Sequence, residues 1–137
     1  MEKRQNFAVA GILKKRGKIL FLKRAGDEIT YPGYWELPSG KVDFGEKLEN
    51  ALKREFREET SIKIIPKKLV YADTYNYKRH GIRFHHLQVF FMVSAKSLVV
   101  KISKDHSDFR WFSKKDLLSY KGKLFSDVKK VCLEVLK

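Results

Sequence analysis

Glu55, Glu58 and Glu59 recur at the three- and four-residue spacing that puts side chains on one face of a helix. Residues 46–60 read as that helix. With Glu55 set at zero, Leu48 falls near ~20°, Ala51 near ~−40°, Leu52 near ~60° and Phe56 near ~100°, an apolar stripe that must face a core. Glu59 lies inside the stripe near ~40°, and Glu58 lies at its edge near ~−60°. Like charges at these spacings each cost a few tenths of a kcal/mol. The helix dipole disfavours acids toward the C-terminal end, and partial burial adds a desolvation cost. A hard divalent cation that takes oxygen ligands removes all three objections. A merely solvated acidic face, paired with Arg54 and Arg57, would not share its side with so many apolar residues.

The spacing around this helix carries a second signal. Gly40 is followed after five residues by Glu46, and after seven more by Arg54-Glu55-Phe56-Arg57-Glu58-Glu59-Thr60-Ser61-Ile62. The stretch resembles the Nudix box, G-x5-E-x7-R-E-U-x-E-E-x-G-U, in which U is a bulky apolar residue. Ser61 stands where the second glycine belongs. The resemblance implies an α+β fold, an α/β/α sandwich around a mixed β-sheet. It implies hydrolysis of a phosphoanhydride bond in a nucleoside diphosphate linked to another group X, with Mg²⁺ or Mn²⁺. Carried over by position, Glu55, Glu58 and Glu59 are metal ligands or bases, and the Gly40 carbonyl is a further ligand. Glu46 and Arg54 orient them. Similar chains place an acid before a tryptophan that can add a ligand, and here Asp108 and Asp105 precede Trp111. A small chain of this kind resembles MutT-like nucleoside triphosphate pyrophosphohydrolases most. Alternatives are a dinucleoside polyphosphate, a nucleotide sugar or an RNA 5′ end as substrate, or a non-catalytic nucleotide-binding domain.

Other elements must position the helix. Phe7–Leu13 and Ile19–Leu22 are apolar runs separated by residues 14–18 and read as a β-hairpin. Lys23–Pro38 reads as a loop in which Trp35 anchors packing beneath the box and Arg24 is a candidate for substrate phosphate. Ser61 is expected in the left-handed conformation that ends a helix, at a cost of roughly 1 kcal/mol for a non-glycine residue. Ile62–Ile65, Leu69–Tyr77 and Ile82–Val93 read as strands, the first broken by Pro66, the others joined by a turn at Arg79-His80-Gly81. Tyr75, Tyr77 and Phe84 are candidates to hold a base or sugar, with Arg83 for phosphate, although aromatics on a strand also fill sheet faces. His85 and His86 are adjacent, so a strand sends them to opposite sides. Residues 94–104 read as a polar loop, Ser113 as the cap of a short helix, and Ser126 as the cap of a last helix over 127–136. Cys132 lies on the apolar stripe of that helix and reads as packing.

Composition bounds the rest. The 137 residues suffice for one domain with its own core, and 43% hydrophobic content excludes disorder. A lone cysteine forms no internal disulfide, and the start lacks a long apolar run, so a cytoplasmic protein off the membrane is expected. Lys and Arg number 30 against 16 Asp and Glu. A basic surface can bind nucleic acid or steer polyphosphates inward. The lysines scatter without an arm or tract, which favours solubility and steering of a nucleotide over nucleic-acid binding.

Overall fold

The two apolar runs near the start do form a hairpin, through a turn in which Arg16 and Gly17 both take positive φ, 50° and 77°. The structure is a computed structural model and describes residues 1–28 and 30–137. Strands β1 (Lys3–Lys15) and β2 (Lys18–Arg24) pair only at their tip, Lys14 with Ile19 and Lys15 with Lys18. Beyond the tip they part, and the segment that leads into the box enters the gap. There β3 (Trp35–Glu36) pairs with β2, and β4 (Ser39–Lys41) pairs with β1, Gly40 opposite Val9.

Helix α1 (Leu48–Thr60) follows, and then the long hairpin of β5 (Ile65–Arg79) and β6 (Ile82–Ser94). β6 runs parallel to β1, from Lys3 opposite Arg83 to Leu13 opposite Val93. β7 (His106–Ser113) pairs antiparallel with β2, and α2 (Lys114–Ser119) and α3 (Ser126–Val135) complete the chain. The sheet order is β3-β2-β1-β6-β5, so it is mixed, with β5 at an edge.

Alternation along the strands builds two cores. Val9, Leu13, Leu22, Val89 and Phe91 meet Ala51, Leu52 and Phe56 of α1. Ala10, Ile12, Phe21 and Phe90 meet Phe112, Leu117, Val131 and Cys132 on the other side. Helices thus cover both faces, the α/β/α sandwich that the resemblance implies. Leu52 and Phe56 are fully buried, each contributing about 1.5–3 kcal/mol. A Cβ on Gly11 would lie 2.7 Å from the Phe56 ring, so only glycine lets the helix approach β1 this closely. Cys132 is buried, and burial raises its thiol to about 12, which suits packing.

Several expectations need correction. The box helix starts at Leu48, not at residue 46, because Glu46 is used in the turn before it. Ile62 and Ile64 are buried but lie outside any strand, and Pro66 does not break one: β5 begins at Ile65. Proline is accommodated because β5 is an edge strand and shifts register between Pro66 and Lys68. The final helix has Phe125, not Ser126, as its N-cap. Trp35 is a buried packing anchor, edge-on to Phe112 at 5.4 Å, but on the face away from α1. Strand β7 is an element that the sequence reading does not assign. Ser113 does cap α2, with a full capping box to Asp116.

The segment between β6 and β7 also has structure to give. The Lys101 and Ser103 N–H groups donate to the carbonyls of Thr60 and Glu59, which have no partner within the helix. Ser61 ends α1 in the left-handed conformation, φ 65°. Ser61→Gly is therefore expected to raise stability by about 0.5–1 kcal/mol. Denaturant titration checks it, and a destabilised variant would mean that the Ser61 hydroxyl bond to the Lys101 carbonyl outweighs the backbone strain.

Candidate active site

Arg54 is the centre of the site's charge network. Its Nε and Nη2 donate to both carboxylate oxygens of Glu46 at 2.9 Å, and Nη1 donates to Glu55 at 2.7 Å. Nη2 also donates to the Lys41 carbonyl at 3.1 Å. Glu46 in turn accepts the Asp43 N–H at 3.0 Å, which closes the turn before α1. The guanidinium beside it, then the Asp43 N–H, hold Glu46 down at about 2. Arg54 itself is raised, chiefly by Glu46. Such a bidentate fork fixes direction as well as charge. It ties the loop, the helix and β4 together and aims Glu55.

Glu55 reaches β4 at the one place where no side chain stands. A Cβ on Gly40 would lie 2.1 Å from the Glu55 carboxyl carbon. Burial raises Glu55 despite the opposing Arg54. Glu59, one turn on, accepts the Ser39 N–H at 2.9 Å. Burial pushes it up to about 9, against that hydrogen bond, with Glu36, Glu55 and Asp105 adding to the rise. Glu58 is different: its side chain is 60% exposed, and Arg54 lies 3.7 Å away. Among the described residues no three acidic, His or Cys side chains converge to hold a metal as they stand. The donor set nevertheless fits one. Two desolvated carboxylates, an exposed third on the same helix edge and a side-chain-free backbone at Gly40 are hard oxygen donors that share a single guanidinium, and Glu59 has no cation beside it among the described residues.

Three groups outside the box join this site: Asp105, which sequence reasoning named, and Glu36 and His106, whose roles it missed. Glu36 on β3 is gripped by His106 Nε2 at 2.8 Å and by Arg24 Nη1 at 3.3 Å. His106 is buried, and its Nδ1 has no partner among the described residues. Asp105, just before β7, is near enough to raise Glu59. The only sequence signal was alternation: Trp35 faces the far core, so Glu36 must face the other way.

Other candidates fall elsewhere. Arg24 is not free for phosphate: Nε and Nη2 donate to Thr30, at 2.8 and 3.0 Å, and Nη1 to Glu36. It braces the loop instead. Asp108 lies exposed on β7 opposite Lys23 and accepts the Phe109 N–H, while Asp105 is the acid whose charge reaches Glu59. Tyr75, Tyr77 and Phe84 share the α3 face of the sheet. The Tyr75 hydroxyl donates to Asp127, and Tyr77 stacks on Phe84 at 4.9 Å. Arg83, one residue from Phe84, points to the opposite face, so it cannot serve the same pocket. His85 and His86 do separate, to Gln5 on one face and to Asn6 on the other.

Comparison with known proteins decides the family. A family model described as NUDIX domain matches residues 2–131. The chain is a member of the Nudix family. Nucleoside triphosphatase NudI of Escherichia fergusonii is 30% identical over 124 residues, covering 85% of this chain and 88% of that protein. NudI of Escherichia coli (strain E24377A) is 31% identical over 125 residues, with the same coverage. Among solved structures, a MutT protein from Methanosarcina mazei Go1 superposes with TM-score 0.81 at 26% identity, covering 99% of this chain and 95% of that one. A MutT NUDIX hydrolase from Burkholderia pseudomallei gives 0.79 at 26% identity, covering 96% and 97%. This Nudix protein is thus a hydrolase of the acid-anhydride class.

The raised Glu59 has a consequence for stability. It binds its proton more tightly folded than unfolded, so this contribution is fully present below its ordinary value of 4.5 and is lost as pH rises through about 9. Glu59→Gln keeps an acceptor for the Ser39 N–H without the buried charge. In EDTA at pH 8.5 this variant is expected to melt ~3–5 °C above the wild type, from a gain of at least ~1 kcal/mol. The gap closes near pH 5. Thermal melts at the two pH values check it, and equal melting temperatures at pH 8.5 would show that Glu59 is not desolvated.

Proposed function

We propose that residues 1–137 act as one unit that hydrolyses a nucleoside triphosphate to the monophosphate and pyrophosphate, using Mg²⁺ or Mn²⁺. The observation that carries this reading is the pair of desolvated carboxylates, Glu55 against the side-chain-free backbone at Gly40 and Glu59 on the Ser39 N–H. NudI, named a nucleoside triphosphatase, supports the choice of substrate. Glu55, Glu58 and Glu59 would hold the metal, with the Gly40 carbonyl. Such an ion supplies charge neutralisation at the phosphates and a water of lowered pKa.

The chain's own residues do the rest. Glu59 would have to be deprotonated to hold a cation, so occupancy would be favoured by rising pH. Glu55, raised by burial and aimed by Arg54, is suited to accept a proton from the attacking water. Glu58 is exposed and free to turn inward. Arg54 and Glu46 stay paired and keep the geometry through the cycle. Tyr75, Tyr77 and Phe84 lie on the α3 side of the sheet, opposite the glutamates, so the base or sugar would rest elsewhere, on the α1 side.

Glu58→Gln and Glu59→Gln are each expected to keep the fold and lose at least about a hundredfold in kcat, since each removes a charge that a divalent ion needs. Circular dichroism and pyrophosphate release from a panel of nucleoside triphosphates measure this. Normal rates in both variants would refute the site. Millimolar Mg²⁺ should also raise the wild-type melting temperature, by ~2.7 kcal/mol of stabilisation at a hundredfold excess over Kd. No shift in any divalent ion would mean that the acids bind no metal in the free protein.

The aromatic strand pair has its own test. Tyr77→Ala is expected to lower the melting temperature with KM unchanged, since Tyr77 packs on Phe84 on the far face of the sheet. A KM raised about fivefold, for ~1 kcal/mol of lost stacking, would place the base there instead.

A further inference from the structure

Three cations far apart in sequence stand side by side on the bare end of the sheet. Lys3 on β1 pairs with Arg83 on β6, and Arg83 pairs with Lys78 on β5. All three are exposed. Strand alternation puts them on one face, the face that α1 covers further along at Val9, Gly11 and Leu13. The next row, Gln5, His85 and Asn76, is polar and also exposed. An open hollow of about 500 Å³ lies here, lined by Lys3, Arg4, Gln5, Asn76, Arg83 and His85.

This arrangement opposes folding. Like charges directly across strands repel, and here the repulsion occurs twice in one row. Among the described residues none of the three cations has an acidic partner. Glu2 is the acid next to Lys3 in sequence, and its carboxylate is engaged by Arg4. Two strand spacings make the row ~10 Å long, enough to meet two successive phosphates. Gly40 lies opposite Val9 on the same face, so the row is ~20 Å along β1 from the box. That distance exceeds a triphosphate's reach and matches several linked nucleotides.

We propose that the row Lys3–Arg83–Lys78 is a binding site for the phosphate backbone of a single-stranded nucleic acid. A strand laid over the row meets charge from three directions and finds the His85 ring at the border of the hollow. A charged groove edged by a ring on which a base can stack is what single strands require, and a duplex hides its bases from it. The excess of 14 positive charges assists the approach of any polyanion, but only this row gives it a fixed place.

The test is fluorescence anisotropy of a 3′-labelled oligothymidylate with a 5′-hydroxyl end, in EDTA, across a salt series. This probe needs neither metal nor hydrolysis, so its outcome is separate from that of the catalytic reading. The wild type should bind it with strong salt dependence. The triple variant Lys3→Gln, Lys78→Gln, Arg83→Gln should bind about tenfold or more weakly, with a salt slope shallower by about 2. It should melt no lower than the wild type, since repulsion is relieved. The control Lys63→Gln, Lys115→Gln, Lys121→Gln changes net charge equally and should retain binding. The proposal is overturned if the wild type does not bind, if the control loses as much as the row variant, or if a duplex of the same length binds as tightly. Displacement of the oligonucleotide by inorganic tripolyphosphate at equal phosphate concentration would likewise overturn it, since the row would then be a site for short polyphosphates.

Discussion

The close contact between Glu55 and Gly40 is the constraint on which the site depends. The carboxyl group fills the space where any other residue would carry its Cβ. Helix α1 can come so near only because Gly11 and Gly40 leave β1 and β4 bare beneath it. Phe56 takes the first space and Glu55 the second. One helix thus presents an apolar residue to the core and, one position earlier, an acid to the candidate site.

Packing of that kind brings an electrostatic debt, and the charges are arranged unevenly to meet it. Arg54 satisfies Glu46 fully, which makes that pair a fixed brace. Glu55 receives only part of the same guanidinium. Glu59 receives one backbone N–H and faces Glu36, Glu55 and Asp105. The site is therefore stable where it must keep its shape and under tension where a cation would enter. That division follows from a single arginine having a limited number of donors.

The sheet contributes a partition. Because β1 and β2 separate beyond their shared tip, the approach segment runs between them and carries Glu36 and Gly40 to the α1 side. The aromatic strand pair of β5 and β6 turns its tyrosines to the α3 side. The free cations Lys3, Lys78 and Arg83 stand on the α1 side, beyond the helix. Phosphate chemistry, aromatic surface and positive charge are thus kept apart by strand alternation alone.

Local rules determined much of this in the chain itself. The apolar stripe with acids inside it marked α1 and its candidate site, since helical period is a property of adjacent residues. The left-handed Ser61, the Ser113 cap and the opposed His85 and His86 are equally local and were legible. Tertiary structure decided what depends on partners. Pro66 stays in a strand because β5 has a free edge. Arg24 is withdrawn from phosphate because Thr30 and Glu36 come to meet it. Arg83 leaves the aromatic pocket because register turns it over. Glu36, Asp105 and His106 join the glutamates only through pairing of β2 with β3 and β7. The lysines that look scattered in the sequence become a row because residues 3, 78 and 83 meet across three strands, and cross-strand neighbours are set by register, which no short stretch of chain contains.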